Sequence, residues 1–240
     1  MLKVKLNCHL MVLLLSLSAC ILAQNNNSQI LKDSNETNNS GTKKYFFKLP
    51  QQRLSNSEDL MKEAIKHFDG KRYNMSIDCL NKAIKINTFP QLTDILYFYR
   101  AVSKTKIKKY SAALLDYDSA IVIKPEKSNY LYNRGLTHFQ IGNYKKAKED
   151  FEKTLKIDGE TADIYFKLGF IKQQESDLKA SILDYSKAIK LNPEFPEPYY
   201  YRGLIYLQVL LPEKSCIDIK KAADLGYHPA INQYNIYCKD

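Results

Sequence analysis

The sequence repeats itself at an interval of 34 residues, and this period limits the possible folds more than any other feature of the chain. Small residues recur at three positions of the repeat. The three columns are Ala64, Ala101, Gly135, Gly169 and Gly203; Ser76, Ala113, Ala147, Ser181 and Ser215; and Ala83, Ala120, Thr154, Ala188 and Ala222. The first step is 37 residues in every column, which a single three-residue insertion near residues 87–92 explains. A fixed period of roughly 20–50 residues is typical of an array of stacked repeats.

Bulky residues lie between the small ones in a pattern that predicts two helices in each repeat. They form two further columns, Tyr73, Tyr110, Tyr144, Leu178 and Pro212, and Leu80, Tyr117, Phe151, Tyr185 and Ile219. A small residue that faces another small residue lets two antiparallel helices approach closely. Each helical hairpin can then bury its remaining apolar surface only against its neighbours. Helix-ending residues, Pro125, Gly159 and Pro193, close three of the repeats.

Together these columns resemble the tetratricopeptide repeat, a helix–turn–helix unit, in five copies that cover residues 57–227. The resemblance implies an all-α fold, a right-handed superhelical solenoid of such hairpins with a C-terminal capping helix. The predicted repeats are 57–93, 94–127, 128–161, 162–195 and 196–227. Their first helices are predicted at about 58–69, 94–107, 128–141, 162–175 and 197–209, and their second helices at about 74–86, 110–123, 144–157, 178–191 and 213–225. Residues 228–240 are predicted to contain the capping helix, from Pro229 to about Tyr237.

The same resemblance implies a binding surface, because the first helices of such repeats line a concave groove. The residues that this implies are Phe98, Tyr99, Val102, Tyr132, Asn133, Leu136, Phe166, Lys167, Phe170, Tyr200, Tyr201 and Leu204. Aromatic side chains are frequent anchors of bound peptides and helices, and Asn133 and Lys167 would add polar contacts. The alternative is that several of these aromatic side chains only pack between adjacent hairpins.

The first 24 residues resemble a secretory signal peptide. Two lysines precede an apolar run from residue 10 to 23, which is too short to span a bilayer as an ordinary transmembrane helix. Cys20 ends a segment that resembles the bacterial lipobox, in which it would be lipidated. Alternatively, cleavage near Ala23 would release a soluble protein. We therefore expect a periplasmic or extracellular protein, with an outer-membrane lipoprotein as the alternative.

Residues 25–56 are predicted to form a flexible tether. This segment is rich in Asn and Ser up to about residue 44, and such a composition buries too little apolar surface to offset the entropy of ordering. The short apolar segment 45–50 interrupts it. That segment is interpreted either as a cover for the exposed start of the first repeat or as a linear docking motif.

The net charge of +10, from 36 basic and 26 acidic residues, favours an acidic partner through long-range attraction. The alternative is that the lysines only solvate the surface. Basic and aromatic residues are not interleaved on one face, so nucleic-acid binding is not expected. Membrane contact is expected only through a lipid at Cys20. Acidic residues of the second helices are predicted to belong to solvated faces on which acidic residues and lysines alternate. These residues are Asp116, Asp118, Glu149, Asp150 and Glu152.

No set of residues in the sequence has the spacing of a catalytic or metal site. The histidines at 67, 138 and 228 are far apart, and there is no glycine-rich phosphate-binding loop. The chain is therefore predicted to be no enzyme and to need no cofactor. Of the cysteines beyond the signal, Cys79, Cys216 and Cys238 are predicted to be buried free thiols, with a Cys216–Cys238 bridge that pins the capping helix as the alternative.

These features together predict a non-catalytic interaction scaffold of a bacterial cell envelope, which binds a peptide or helix of a protein partner in an aromatic groove. One alternative is a lipid-anchored structural subunit of an outer-membrane secretion or biogenesis assembly. Another is a substrate-binding accessory to a carbohydrate enzyme.

Overall fold

The computed structural model describes residues 56–88 and 90–238. Within them the chain forms eleven α-helices, one short 3₁₀ turn at Pro90–Leu92, and no strand. The helices are α1 Ser57–Asp69, α2 Tyr73–Ile86, α3 Thr93–Lys106, α4 Tyr110–Ile123, α5 Ser128–Gln140, α6 Tyr144–Asp158, α7 Ala162–Gln174, α8 Leu178–Leu191, α9 Pro196–Gln208, α10 Pro212–Asp224 and α11 His228–Tyr237. The predicted signal peptide with Cys20, and nearly all of the predicted tether with its segment 45–50, lie outside the described residues.

Successive helices pair into five hairpins, α1–α2, α3–α4, α5–α6, α7–α8 and α9–α10, and α11 packs on α10. The second helix of each hairpin also packs on the first helix of the next one. This arrangement confirms the predicted all-α solenoid with a capping helix. Each helix begins and ends within one residue of its predicted bounds. Among the described residues, no helix has both the length and the apolar character needed to cross a membrane.

The glycines of the first small-residue column mark places where the two helices of a hairpin approach closely. In the α7–α8 hairpin, Gly169 faces the ring of Tyr185, which is fully buried. A Cβ atom at Gly169 would lie 2.8 Å from two carbons of that ring. Gly203 faces Ile219 in the next hairpin, where the corresponding distance is 2.9 Å. The glycines of this column therefore make room for the bulky column of the second helix.

Replacing Gly169 by Ala should lower the free energy of unfolding by about 1–3 kcal/mol, because the added methyl group overpacks a closed interface. Urea denaturation measures the loss. Gly70→Ala is the control, since its nearest neighbour would be an ordinary van der Waals contact at 3.4 Å, and we expect a change within about 0.5 kcal/mol. Equal losses in the two variants would show that the close approach at Gly169 does not limit packing.

Arginine–aspartate pairs join the two helices of three hairpins at the period of the repeat. The pairs are Arg100–Asp116, Arg134–Asp150 and Arg202–Asp218, and in each the guanidinium donates from both Nε and Nη2 to the two carboxylate oxygens over 2.6–2.9 Å. In the fourth hairpin Leu168 stands at the arginine position, and Lys172 Nζ lies 2.6 Å from Asp184 Oδ2 instead.

The prediction that Asp116 and Asp150 belong to a solvated face is wrong. The two residues are 4% and 2% exposed, because each turns inward toward the first helix of its own hairpin. A buried carboxylate must be paired, and the arginine sixteen residues before it provides that pairing. The neighbouring Asp118 is exposed, as predicted for the set, although it also accepts a hydrogen bond from Arg134.

The prediction of free thiols at Cys216 and Cys238 is also wrong. The two residues form a disulfide, with their Cα atoms 5.5 Å apart. The bridge joins the first turns of α10 to the end of α11, because these helices run antiparallel at the end of the array. Ala230 of α11 is fully buried beside Ile219. Cys79 is a free, partly buried cysteine.

Candidate partner-binding groove

The predicted groove residues lie on the first helices of four successive hairpins. They occupy equivalent positions on α3 (Phe98, Tyr99, Val102), α5 (Tyr132, Asn133, Leu136), α7 (Phe166, Lys167, Phe170) and α9 (Tyr200, Tyr201, Leu204). Residues at this spacing share one side of a helix. All twelve side chains are partly exposed, and none is fully buried. We refer to this surface as the first-helix face.

Side chains of neighbouring first helices contact one another, so the first-helix face continues from one hairpin to the next. Between α5 and α7, Tyr132 Oη donates to Asp163 Oδ2 over 2.6 Å. Between α7 and α9, the ring of Tyr201 lies 5.5 Å from that of Phe166 and 5.8 Å from that of Phe170, centroid to centroid. The structure thus brings together residues that are 31 to 35 positions apart in the sequence, which is about one repeat.

Some of the predicted aromatic residues also support the core. Phe98 stacks on Tyr130 at 4.7 Å, and its ring lies 6.1 Å from that of the buried Tyr117. Phe166 makes the equivalent contact with the buried Tyr185, at 5.9 Å. These two side chains therefore pack between helices while one part of each stays exposed.

The polar residues of the first-helix face are held in place by their own neighbours. Lys167 Nζ lies 3.4 Å from Asp163 Oδ1 and 5.1 Å from the centroid of the Phe166 ring. The Asn133 amide donates to the Asn129 carbonyl oxygen over 2.7 Å, which leaves its side-chain carbonyl to accept. Burial, and then the Asp163 carboxylate, raise the pKa of Tyr132, so that its phenol remains a donor at neutral pH.

Two residues that adjoin the first-helix face were not among those predicted. Phe139 lies 5.3 Å from Phe170 across the α5–α7 boundary, and Lys167 Nζ is 5.7 Å from its ring. Tyr227, just before α11, lies 5.2 Å from Tyr200. Phe139 lies outside the repeat positions that the resemblance assigns to the groove, and Tyr227 follows the last full hairpin, so the period of the repeat gave no signal for either.

The described residues contain no group of three His, Cys, Asp or Glu side chains that could hold a metal ion. His138 is buried, and this burial lowers its pKa, so the imidazole is neutral at pH 7. His67 lies 3.2 Å from Glu63 on the same helix. What the first-helix face can offer to a ligand is therefore contact surface, hydrogen bonds and a few charges.

Comparison with protein families identifies the repeat. A model described as "Tetratricopeptide repeat" matches residues 128–160, which contain α5 and α6, and one described as "TPR repeat" matches residues 171–209. These matches show that the chain contains tetratricopeptide repeats, and the remaining hairpins have the same helix–turn–helix form. A comparison with curated proteins finds no match.

Solved structures with the same fold include MamA and YrrB. MamA from Desulfovibrio magneticus RS-1 is 15% identical, with a TM-score of 0.65 over 70% of this chain and 94% of that one. Another MamA crystal structure is 20% identical, with a TM-score of 0.62 over 70% and 96% of the two chains. YrrB, described as a TPR protein with an unusual peptide-binding site, is 14% identical, with a TM-score of 0.63 over 75% and 93%. At these identities the likeness shows the fold.

Proposed function

We propose that the protein is a non-catalytic interaction scaffold of a bacterial cell envelope, which binds a peptide or helix of a protein partner along the first-helix face. The observation that carries this proposal is the continuous row of partly exposed aromatic and apolar side chains over α3, α5, α7 and α9. YrrB has the same fold and is described as having a peptide-binding site, which supports a peptide-binding role for an array of these helical hairpins.

The chemistry of the first-helix face suits an extended or helical segment. Aromatic rings that are already fixed by their neighbours lose little conformational freedom when a ligand covers them. Tyr200, Leu204 and Leu136 supply apolar contact area, and Asn133 and Lys167 supply hydrogen-bonding groups. The repeat spacing presents these groups at regular intervals, which a partner with a similarly regular pattern would match.

Export of the protein is part of this proposal and has independent support from the described residues. Disulfides persist in oxidising compartments and are rare in the bacterial cytoplasm, so the Cys216–Cys238 bridge favours a periplasmic or extracellular location. Whether the chain is released near Ala23 or lipidated at Cys20 concerns residues outside those described. We further propose an acidic partner surface, which rests on the net charge of +10 alone.

A second candidate function is a lipid-anchored structural subunit of an outer-membrane assembly. One observation favours it: the second helices carry Leu115, Leu183 and Ile217 at the same repeat position, and these residues are 68%, 69% and 69% exposed. Apolar side chains repeated on that side would give neighbouring subunits a contact surface. We call this set the second-helix face.

The two candidates are separated by capture of partners from an envelope extract of the native host, with the full chain as bait. The variant Asn133→Ala/Lys167→Ala/Leu204→Ala alters the first-helix face at three residues that lie outside the buried clusters. We expect this variant to bind the partner at least about tenfold more weakly. A loss of about 1.4 kcal/mol of binding free energy already raises the Kd tenfold.

The matched control is Leu115→Ala/Leu183→Ala/Ile217→Ala on the second-helix face. We expect this variant to retain the partner. Retention by the first-helix variant together with loss by the second-helix variant would contradict groove binding and favour the structural-subunit candidate. Circular dichroism checks that both variants keep the helical content of the parent.

A further inference from the structure

One first helix holds a positive charge between a carboxylate and an aromatic ring. On α7, Lys167 Nζ lies 3.4 Å from Asp163 Oδ1 and 5.1 Å from the centroid of Phe166. Near the end of the same hairpin, the ammonium group of Lys187 pairs with Glu160 and lies 4.5 Å from the ring centroid of Tyr165. The α7–α8 hairpin, together with Glu160 just before it, thus combines an acid, an aromatic ring and a cation in two places.

The next repeat has the acid and the ring but lacks the cation. Moving 34 positions from Asp163, Phe166 and Lys167 leads to Glu197, Tyr200 and Tyr201 on α9. The lysine position is now occupied by a tyrosine. Within residues 56–88 and 90–238, no basic side chain forms an ion pair with Glu197. In the same part of the chain, no cation lies over the rings of Tyr200, Tyr201 or Tyr227.

The rings of Tyr200, Tyr201 and Tyr227 lie next to one another here, with large angles between the planes of neighbouring rings. The ring centroids of Tyr200 and Tyr201 are 5.5 Å apart, with an angle of 82° between the ring planes. Those of Tyr200 and Tyr227 are 5.2 Å apart, with an interplanar angle of 61°. All three side chains and Glu197 are partly exposed. The face of a tyrosine ring is electron-rich, so rings that meet at such angles, beside a carboxylate, form a surface that attracts an organic cation.

We propose that Glu197, Tyr200, Tyr201 and Tyr227 form a cation site that receives a lysine or arginine side chain of the bound partner segment. The incoming cation takes the place that Lys167 fills one repeat earlier. The proposal rests on the proposed function, since the basic residue belongs to the segment that lies along the first-helix face. It adds the chemistry of one position in that segment.

The charges of the site support this assignment. Burial, followed by the proximity of Tyr201 and Glu197, raises the pKa of Tyr227 to about 12, so this phenol is neutral at pH 7. Glu197 supplies the carboxylate of the site. The positive net charge of the chain does not oppose a basic ligand at contact, because salt at about 0.15 M screens charges beyond roughly 8 Å.

The test is the selection of peptides by the full chain from a library of random synthetic dodecapeptides. We expect the selected peptides to carry Lys or Arg at one fixed position relative to their apolar residues. In Glu197→Gln the preference for Lys or Arg at that position should fall by about threefold to tenfold, while the apolar preferences remain. Tyr200→Phe, which keeps the ring, should retain the preference, and Tyr200→Leu should lose it.

Glu194→Gln is the matched control. It removes the same charge three residues earlier, from a side chain that is 74% exposed with its Oε1 4.0 Å from Lys221 Nζ, and it should leave the preference unchanged. Two results would overturn the cation site and leave groove binding in place. In the first, the selected peptides show no preference for a basic residue; in the second, that preference survives Glu197→Gln. If the parent selects no peptide at all, both the cation site and the proposed function fail.

Discussion

Replacement of Asp150 by Asn is expected to destabilise the repeat array by about 3 kcal/mol, because it breaks a buried ion pair and leaves the guanidinium of Arg134 with only the exposed carboxylate of Asp118 as a charged partner. Asp150 is 2% exposed, and its two carboxylate oxygens accept from Nε and Nη2 of Arg134 over 2.9 and 2.6 Å. The asparagine side chain has nearly the same shape but no charge. Urea denaturation followed by circular dichroism should show a clearly lower midpoint.

Asp118 provides the control for this prediction because it binds the same guanidinium group. Its Oδ1 lies 2.6 Å from Arg134 Nη1, but its side chain is 54% exposed. An exposed ion pair contributes little, so Asp118→Asn should cost less than about 1 kcal/mol. If both variants lose the same stability, burial is not what gives the Arg134–Asp150 pair its importance.

Loss of the disulfide has the second largest expected effect. In Cys238→Ser the capping helix α11 should become less stable by about 3 kcal/mol, since a bridge across a loop of this length restricts the unfolded chain by that amount. The two cysteines are 22 residues apart in the sequence. Because each repeat contacts only its neighbours, we expect the loss to be local. Hydrogen exchange should show faster exchange in α11 and unchanged exchange in α5 and α6.

Two controls accompany the disulfide prediction. Reduction of the parent protein with dithiothreitol should reproduce the faster exchange of α11. Cys79→Ser alters the free cysteine on α2 and should leave α11 unchanged. Protection of α11 that is equal in the parent and in Cys238→Ser would mean that packing on α10 alone holds the capping helix.

The helices could be predicted closely because their signals are local and repeated. The column of Gly135, Gly169 and Gly203 fixes where the hairpin helices approach, and Pro125 and Pro193 fix where two repeats end. A small residue recurs at each of the three column positions in all five repeats, so the copies support one another. For that reason the observed bounds differ from the predicted ones by no more than one residue.

The Arg–Asp pairs could have been found in the sequence, although they were missed. Asp150 lies among the lysines of α6, which is also typical of a solvated face, whereas the helix of Asp116 contains no lysine. The direction in which such a residue points depends on the rotation of its helix, and the alternation does not define that rotation. The informative signal was an arginine sixteen positions before each aspartate, in three repeats at the same period.

The disulfide and the details of the groove depend on distances that no sequence pattern contains. Cys216 and Cys238 pair because α11 folds back along α10 and brings their Cα atoms to 5.5 Å. Likewise, Tyr227 joins the first-helix face only because α11 follows a turn at the end of the array. Repeat columns specify packing, whereas the residues that choose a ligand differ from one repeat to the next, as Lys167 and Tyr201 do.

The most direct test of the central claim is photo-crosslinking of the full chain in the envelope of its host. A benzophenone amino acid is placed at Asn133 or Leu204 on the first-helix face, or at Leu183 on the second-helix face. We predict adducts with the same partner protein from Asn133 and Leu204, and none from Leu183. Adducts from Leu183 alone would contradict the claim that the partner binds along the first helices.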